Sequence, residues 1–167
     1  MTEQFSLTRA MTTEEGVYGL ILVSGVIAAT GAAGSPAWKT LLFTVLTVAV
    51  FWLAHVYAGT VAMHGSRDAE GHPRSAREAF RASVRKARGM LAATVFPAIA
   101  LLLGALGVLD DSASMWIALW VGVVILGALG YLAYRRKGAS LGWRLAGAIT
   151  TASFGIAIVI VKAIVTH

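Results

Sequence analysis

Five runs of mostly apolar residues, each long enough to cross a lipid bilayer, constrain this sequence more than any other feature. A membrane-spanning helix needs about 20 predominantly apolar residues to cross a hydrocarbon layer of about 30 Å. The sequence therefore predicts an all-α integral membrane helical bundle that forms a single domain over residues 1–167. The predicted transmembrane spans cover residues 16–33, 38–63, 89–109, 115–134 and 141–165.

The composition supports a membrane location and excludes several kinds of chemistry. Hydrophobic residues make up 57% of the chain and charged residues 13%, whereas soluble proteins have about 25% charged residues. The absence of cysteine excludes disulfides and thiolate-bound metals. The sequence also lacks the motifs of hydrolases, phosphoryl-transfer enzymes and zinc proteases. We therefore expect no cofactor, no metal and no enzymatic activity, since a lipid-modifying enzyme would need a recognisable acid-base pair.

Basic residues are concentrated on one side of the predicted membrane. If the five spans alternate in direction, twelve of the 14 Lys and Arg residues lie on the same side as the N-terminus. Cytoplasmic loops carry such an excess, so we expect a cytoplasmic N-terminus, an external C-terminus and a location in the inner (plasma) membrane. Because these basic residues adjoin apolar spans, the expected partner is an anionic membrane leaflet and not a nucleic acid.

The longest polar connection, residues 64–88, carries seven basic residues. Ser75 and Glu78 have the spacing of a capping box, which predicts that a helix starts there. Its apolar positions are Ala76, Phe80, Val84 and Ala87, and its basic positions are Arg77, Arg81, Arg85 and Arg88. This pattern predicts a basic amphipathic cytoplasmic helix on the membrane surface, either separate from the third span or continuous with it, whose arginines bind anionic lipid headgroups. A solvated positive-inside loop without lipid specificity is the alternative.

Ionisable and hydrogen-bonding residues occur within or at the ends of the first two spans, where a buried charge costs about 2.5 to 3.5 kcal/mol. If these spans form an antiparallel hairpin that turns near Pro36, Tyr18 lies level with His55. By the same register, Glu15 lies level with Tyr57. Imidazole changes charge near neutral pH, so such a group can act as a proton-sensitive gate. The alternative is a structural histidine that fixes helix packing through a hydrogen bond.

The fifth predicted span combines small residues with a single charge. Gly147, Thr151 and Gly155 recur every four residues, which predicts a face that packs closely on a neighbouring helix. Lys162 lies near the outer end of this span, and we expect its long side chain to extend to the membrane interface.

Two short motifs in and before the first two spans are similar to those of a known family. Arg9 is followed six residues later by Glu15, and Phe51 with Trp52 is followed by His55. This arrangement resembles the R-x-x-x-F-S-D and F-W-x-x-H motifs of the endolysosomal potassium channel family and its bacterial relatives. The matched positions lie in about the first third of the chain.

The resemblance implies an oligomeric cation channel whose pore is lined by the first span. Thr13 and Glu14 replace the Phe and Ser of the family motif, and five spans are predicted here where the family has six per repeat. By register, the pore constriction is expected at Leu20, Ser24 and Ile27, a hydrophobic constriction of the kind that gates by dewetting. The chain is also similar to uncharacterised small five-span bacterial membrane proteins, which imply no mechanism.

Two functional hypotheses follow. The first is a small homo-oligomeric membrane protein that permeates or exchanges a monovalent cation, K⁺ or H⁺, with pH acting on its opening. The second is a non-conducting accessory or scaffold protein that binds anionic lipid or a partner protein through its basic helix. The residues assigned to the ion path or gate are Glu14, Glu15, Tyr18, Leu20, Ser24, Ile27, Trp52, His55 and Tyr57.

Overall fold

The computed structural model describes residues 14–66 and 73–166, which fold into helices. In chain order the helices are α1 (Glu14–Ala32), α2 (Ala37–Met63), α3 (Ala76–Ala105), α4 (Asp111–Arg136) and α5 (Leu141–Thr166). Each of these five is long and apolar enough to cross a membrane. For the described residues, the predicted helical class with five candidate spans is therefore confirmed, and the chain has the make-up of a multi-pass membrane protein.

Helix α3 differs most from the predicted spans. It runs without interruption over 30 residues, so the basic segment is its first half and is continuous with the third span, which is the second of the two predicted alternatives. The Ser75 hydroxyl accepts a hydrogen bond from the Glu78 amide at 3.3 Å, and the Glu78 carboxylate accepts one from the Ser75 amide at 2.9 Å. This predicted capping box is confirmed. Gly89, at the predicted junction, costs a helix only about 1 kcal/mol, too little to interrupt it.

One face of α3 packs inside the described bundle in the first half of the helix. Of the apolar positions named there from the sequence, Ala87 is buried and Phe80 is 52% exposed. The buried positions are Ala79, Ser83, Ala87 and Met90. These residues follow one another at intervals of three or four, as expected for one face of a helix. The small ones among them allow close packing on α2, because a Cβ on Gly59 would lie 2.9 Å from the Ser83 hydroxyl oxygen.

Helix α1 lies at the centre of the described bundle and contacts each of the other four helices. Leu20, Val23 and Ile27 have no exposed surface, and the last two pack in one cluster with Leu101 of α3 and Leu119 of α4. The helices differ in how much of their most apolar stretch is buried inside the bundle. The buried share is 17% in α2 and also 17% in α5, but 44% in α1 and 50% in α3. Helices α2 and α5 therefore present broad apolar surfaces suited to lipid.

The interface between α4 and α5 uses the predicted seam of small residues. A Cβ on Gly155 would lie 2.9 Å from Cγ2 of Val123, and Gly147 faces the ring of Tyr134. The Thr151 hydroxyl donates a hydrogen bond to the Gly147 carbonyl. The prediction that this face of α5 packs closely on a neighbouring helix is confirmed.

Candidate functional site

A buried carboxylate, that of Glu15, lies where α1, α2 and α3 meet. Its side chain is 3% exposed, and its Oε1 atom is 3.1 Å from Nζ of Lys86 and 3.8 Å from Nε2 of His55. The predicted proximity of Glu15 and His55 across the α1–α2 hairpin is therefore confirmed, whereas the role of these residues as a gate stays a prediction. We call Glu15, His55 and Lys86 the Glu15 cluster.

Close packing of α1 on α3 brings Lys86 to Glu15. A Cβ on Gly19 would lie 2.9 Å from Cα of Met90, so the two helices touch there without an intervening side chain. Lys86 precedes Met90 by one helical turn, as Glu15 precedes Gly19. Because the two helices run in the same direction, both charged side chains lie at the same level.

His55 reaches the cluster through the contact between α2 and α3. Gly59 packs against Ser83 where these helices touch. The two helices are antiparallel, so His55, one turn before Gly59, lies level with the turn of α3 that follows Ser83 and contains Lys86. Small residues at the two helix contacts thus position all three members of the cluster.

Solvent reaches the cluster from the side of Lys86 and His55. These two side chains are 60% and 36% exposed, whereas the Glu15 carboxylate behind them is buried. A cavity of about 340 Å³ borders both residues and is also lined by Gly59 and Ser83. An ion that enters from this cavity would therefore approach Glu15 past Lys86 and His55.

The other polar residues assigned to the ion path or gate are more exposed than Glu15. Glu14 is exposed, and Tyr18 and Tyr57 are 54% and 73% exposed. Neighbouring helix positions are about 100° apart, so Tyr57 lies about 200° from His55, on the opposite side of α2. Trp52, assigned from the family resemblance, is partly buried, and its indole N–H has no acceptor within the part of the chain that the structure describes.

The predicted pore-lining residues lie in the core of the chain itself. Leu20 and Ile27 have no exposed surface, and Ser24 is 2% exposed. Ser24 packs against Gly122 of α4, where a Cβ would lie 2.9 Å from the serine hydroxyl oxygen. Because these side chains face helices of their own chain, they are not on a surface that could line an axis between copies.

The predicted lipid-binding arginines are all exposed: Arg77, Arg81, Arg85 and Arg88. They lie on the side of α3 that faces away from its buried positions. Four guanidinium groups on one exposed face can attract anionic groups.

Lys86 is a member of the cluster that sequence reasoning missed, because the residue was counted among the basic residues of the connection. Its spacing in the sequence does indicate which face of α3 it occupies. It lies three residues after Ser83 and four before Met90, which places it on the packing face of α3 and away from the exposed arginines.

The position of Lys162 differs from the prediction that its side chain extends to the membrane interface. Its side chain does not extend to the interface, because the residue is 3% exposed and its Nζ lies 4.3 Å from the centroid of the Trp116 ring. The signal for this burial was also in the sequence, since Lys162 lies seven residues after Gly155, on the same face of α5 as the packing seam.

The part of the chain in residues 14–66 and 73–166 has no group of three or more His, Asp or Glu residues that could hold a metal ion. No known protein family, curated protein or solved structure matches this sequence. The resemblance to the potassium channel family therefore stays a prediction. Arg9 and Thr13, which belong to its first motif, lie outside the described residues.

Proposed function

We propose that this chain is a small multi-pass membrane protein that permeates or exchanges a monovalent cation, H⁺ or K⁺, and that Glu15 binds the ion. The supporting observation is the burial of the Glu15 carboxylate beside the Lys86 ammonium and the His55 imidazole. An ionisable side chain inside a membrane bundle is costly, which makes it a candidate ion site. The Lys86 ammonium occupies a position that a transported cation could take.

The proposed mechanism is an exchange of cations at the Glu15 carboxylate. The Lys86 ammonium lies 3.1 Å from Oε1 on a side chain that is 60% exposed. Because a lysine side chain is long and flexible, its ammonium can move into water while the carboxylate stays buried. A proton or K⁺ then neutralises Glu15.

The proposed orientation places the Glu15 cluster at the cytoplasmic end of the bundle, in the plasma membrane. Its support is the excess of basic residues at that end, with seven in residues 64–88. Since α1 contacts each of the other four described helices, the proposed ion path follows the buried face of α1 within a single chain. A homo-oligomer would form through the exposed faces of α2 and α5.

Ion flux into liposomes tests this proposal, with Glu15→Gln as the decisive variant. A neutral amide neither takes up a proton nor balances the charge of a cation, so flux should fall at least about tenfold. Glu14→Gln is the matched control, because it removes the neighbouring exposed carboxylate and should retain flux. The proposal is overturned if folded wild-type protein passes neither H⁺ nor K⁺ at any pH, or if Glu15→Gln conducts as well as wild type.

The exposed arginine face of α3 supports a second candidate function, a non-conducting accessory protein that binds anionic lipid or an acidic partner protein. Replacement of Arg77, Arg81 and Arg85 by Gln should then abolish retention of phosphatidylglycerol by the purified protein. Glu15→Gln and His55→Ala should leave this retention unchanged. Absence of flux together with loss of lipid in the arginine variant would favour this function over ion exchange.

A further inference from the structure

The ammonium of Lys162 is a buried cation at the end of the bundle opposite the Glu15 cluster. The residue is 3% exposed, and its Nζ lies 4.3 Å from the centroid of the Trp116 ring. No carboxylate in residues 14–66 and 73–166 forms an ion pair with it. Charged groups inside membrane bundles pair with an opposite charge or border a cavity, so the cavities that border Lys162 are candidate sites for an anion.

A partly polar cavity of about 470 Å³ opens beside Lys162. Gly31 of α1 borders it, and a Cβ there would lie 3.2 Å from the lysine Nζ. Asp111 of α4 also lines this cavity, and its Oδ1 atom accepts a hydrogen bond from the Ala37 amide at 2.9 Å. The cavity therefore offers a cationic group and an anionic group on different walls.

An apolar groove of about 420 Å³ also borders Lys162 and runs between α1 and α5. Its lining includes Gly25, Ala28, Ala29 and Ala32 on α1, and Val161 and Val165 on α5. A Cβ on Gly25 would meet nothing within 4 Å, so the groove is open at that position. The polar cavity and the apolar groove thus share Lys162.

We propose that these two cavities together bind one phospholipid, with its headgroup phosphate at Lys162 and one acyl chain in the groove. The shared lysine supports a single amphiphilic ligand, because the site requires an anionic group and an apolar chain on adjoining sides of one ammonium. A free phosphate ion would satisfy Lys162 but would leave the groove uncovered. This site lies at the end of the bundle opposite the Glu15 cluster, and none of its lining residues belongs to that cluster.

Asp111 favours a headgroup that carries a positive charge as well as the phosphate. A headgroup with negative charge alone would meet a carboxylate of the same sign, which is unfavourable. The ammonium of phosphatidylethanolamine removes this repulsion. Phosphatidylethanolamine should therefore be retained more tightly than phosphatidylglycerol, and equal retention of the two lipids would overturn this headgroup preference.

Native mass spectrometry of the delipidated protein tests the proposal, with phosphatidylethanolamine, phosphatidylglycerol and inorganic phosphate added as separate probes. Lys162→Met keeps the length of the side chain and removes its charge, so retention of phosphatidylethanolamine should fall at least about tenfold. Lys162→Arg keeps the charge and should retain the lipid. Equal retention by Lys162→Met and wild type would overturn the proposal.

Gly25→Leu distinguishes a lipid from a free phosphate ion. A Cβ at this position has no neighbouring atom within 4 Å, so the leucine side chain can occupy the groove without a clash. This variant should therefore fold even if Lys162→Met does not. It should lose phosphatidylethanolamine and keep any binding of inorganic phosphate. Unchanged lipid retention in Gly25→Leu, or a wild type that binds inorganic phosphate but no phospholipid, would overturn the assignment to a lipid.

Discussion

The buried charges at the two ends of α1 differ in how they are balanced. At one end, the Glu15 carboxylate has Lys86 at 3.1 Å and His55 at 3.8 Å. At the other end, Lys162 lies over the Trp116 ring without a carboxylate partner among the described residues. A charge that the fold pairs can exchange its partner for an ion, whereas an unpaired charge requires a ligand. This difference is why we propose ion exchange at one end and lipid binding at the other.

The two ends differ in rigidity as well. Gly19, one turn above Glu15, is in contact with the backbone of Met90, and a Cβ there would lie 2.9 Å from its Cα. A Cβ on Gly31, beside Lys162, would meet the far ends of flexible side chains, and Gly31 borders an open cavity. The Glu15 end is therefore held by backbone contact, while the Lys162 end has room to accommodate a ligand.

The largest expected difference in stability between the two ends appears when the lysine at each end is replaced by methionine. Lys86→Met deprives the buried Glu15 carboxylate of its nearest described cation and should lower the free energy of unfolding by about 1 to 3 kcal/mol. Lys162→Met removes a buried charge that has no described carboxylate partner, so stability in lipid-free detergent should not fall. Thermal unfolding of both variants in the same detergent measures the difference.

A double variant sharpens this first prediction. Glu15→Gln combined with Lys86→Met removes both charges and should recover most of the stability that Lys86→Met loses. Arg85→Met, at an exposed neighbouring position, is the matched control and should change stability little. If Lys162→Met were as unstable as Lys86→Met, the distinction between a paired and an unpaired end would not hold.

A smaller effect is expected from adding one methyl group at each end. In Gly19→Ala the Cβ would lie 2.7 Å from Cγ and 2.9 Å from Cα of Met90, so α1 and α3 must separate. We expect a loss of about 1 to 2 kcal/mol. In Gly31→Ala the Cβ would lie 3.0 Å from Cε of Lys162, and since that side chain can shift, the loss should stay below about 1 kcal/mol.

Chemical unfolding of these two alanine variants in detergent checks the prediction, and flux measurements extend it. Gly19→Ala should also lower ion flux, because separation of α1 and α3 moves Lys86 away from Glu15. Gly31→Ala should leave flux unchanged. Equal stability losses at the two glycines would show that the Lys162 end is as tightly packed as the Glu15 end.

The position of a residue along the membrane normal could be predicted from the sequence, but the side of the helix on which its side chain lies could not. A short turn at Pro36 relates positions on α1 and α2 by counting, and this placed Glu15 near His55. Counting does not tell which side of a helix faces the bundle, because that depends on contacts with helices elsewhere in the chain. Tyr57 was for this reason assigned to the cluster, although it is 73% exposed.

The contact of Lys86 with Glu15 and the burial of Lys162 were not predicted, for different physical reasons. Lys86 reaches Glu15 through the contact of α1 with α3, and these helices are not adjacent in sequence, so no local pattern reports their register. Lys162 was predictable from the seam at Gly155, since the same face continues two turns later. The expectation that a lysine near a helix end extends to the interface took precedence over this spacing.

The smallest effect on stability is expected at His55, where the Glu15 cluster meets solvent. Its Nε2 atom is 3.8 Å from Oε1 of Glu15 and its side chain is 36% exposed, so His55→Ala should cost less than about 1 kcal/mol. In liposome flux, the variant should still conduct, because the Glu15 carboxylate and the Lys86 ammonium remain. His64→Ala, which removes an exposed imidazole outside the cluster, should leave both stability and flux unchanged. A stability loss as large as that of Lys86→Met would make the imidazole, and not the ammonium, the main partner of Glu15, and loss of flux would make the imidazole essential to the ion path.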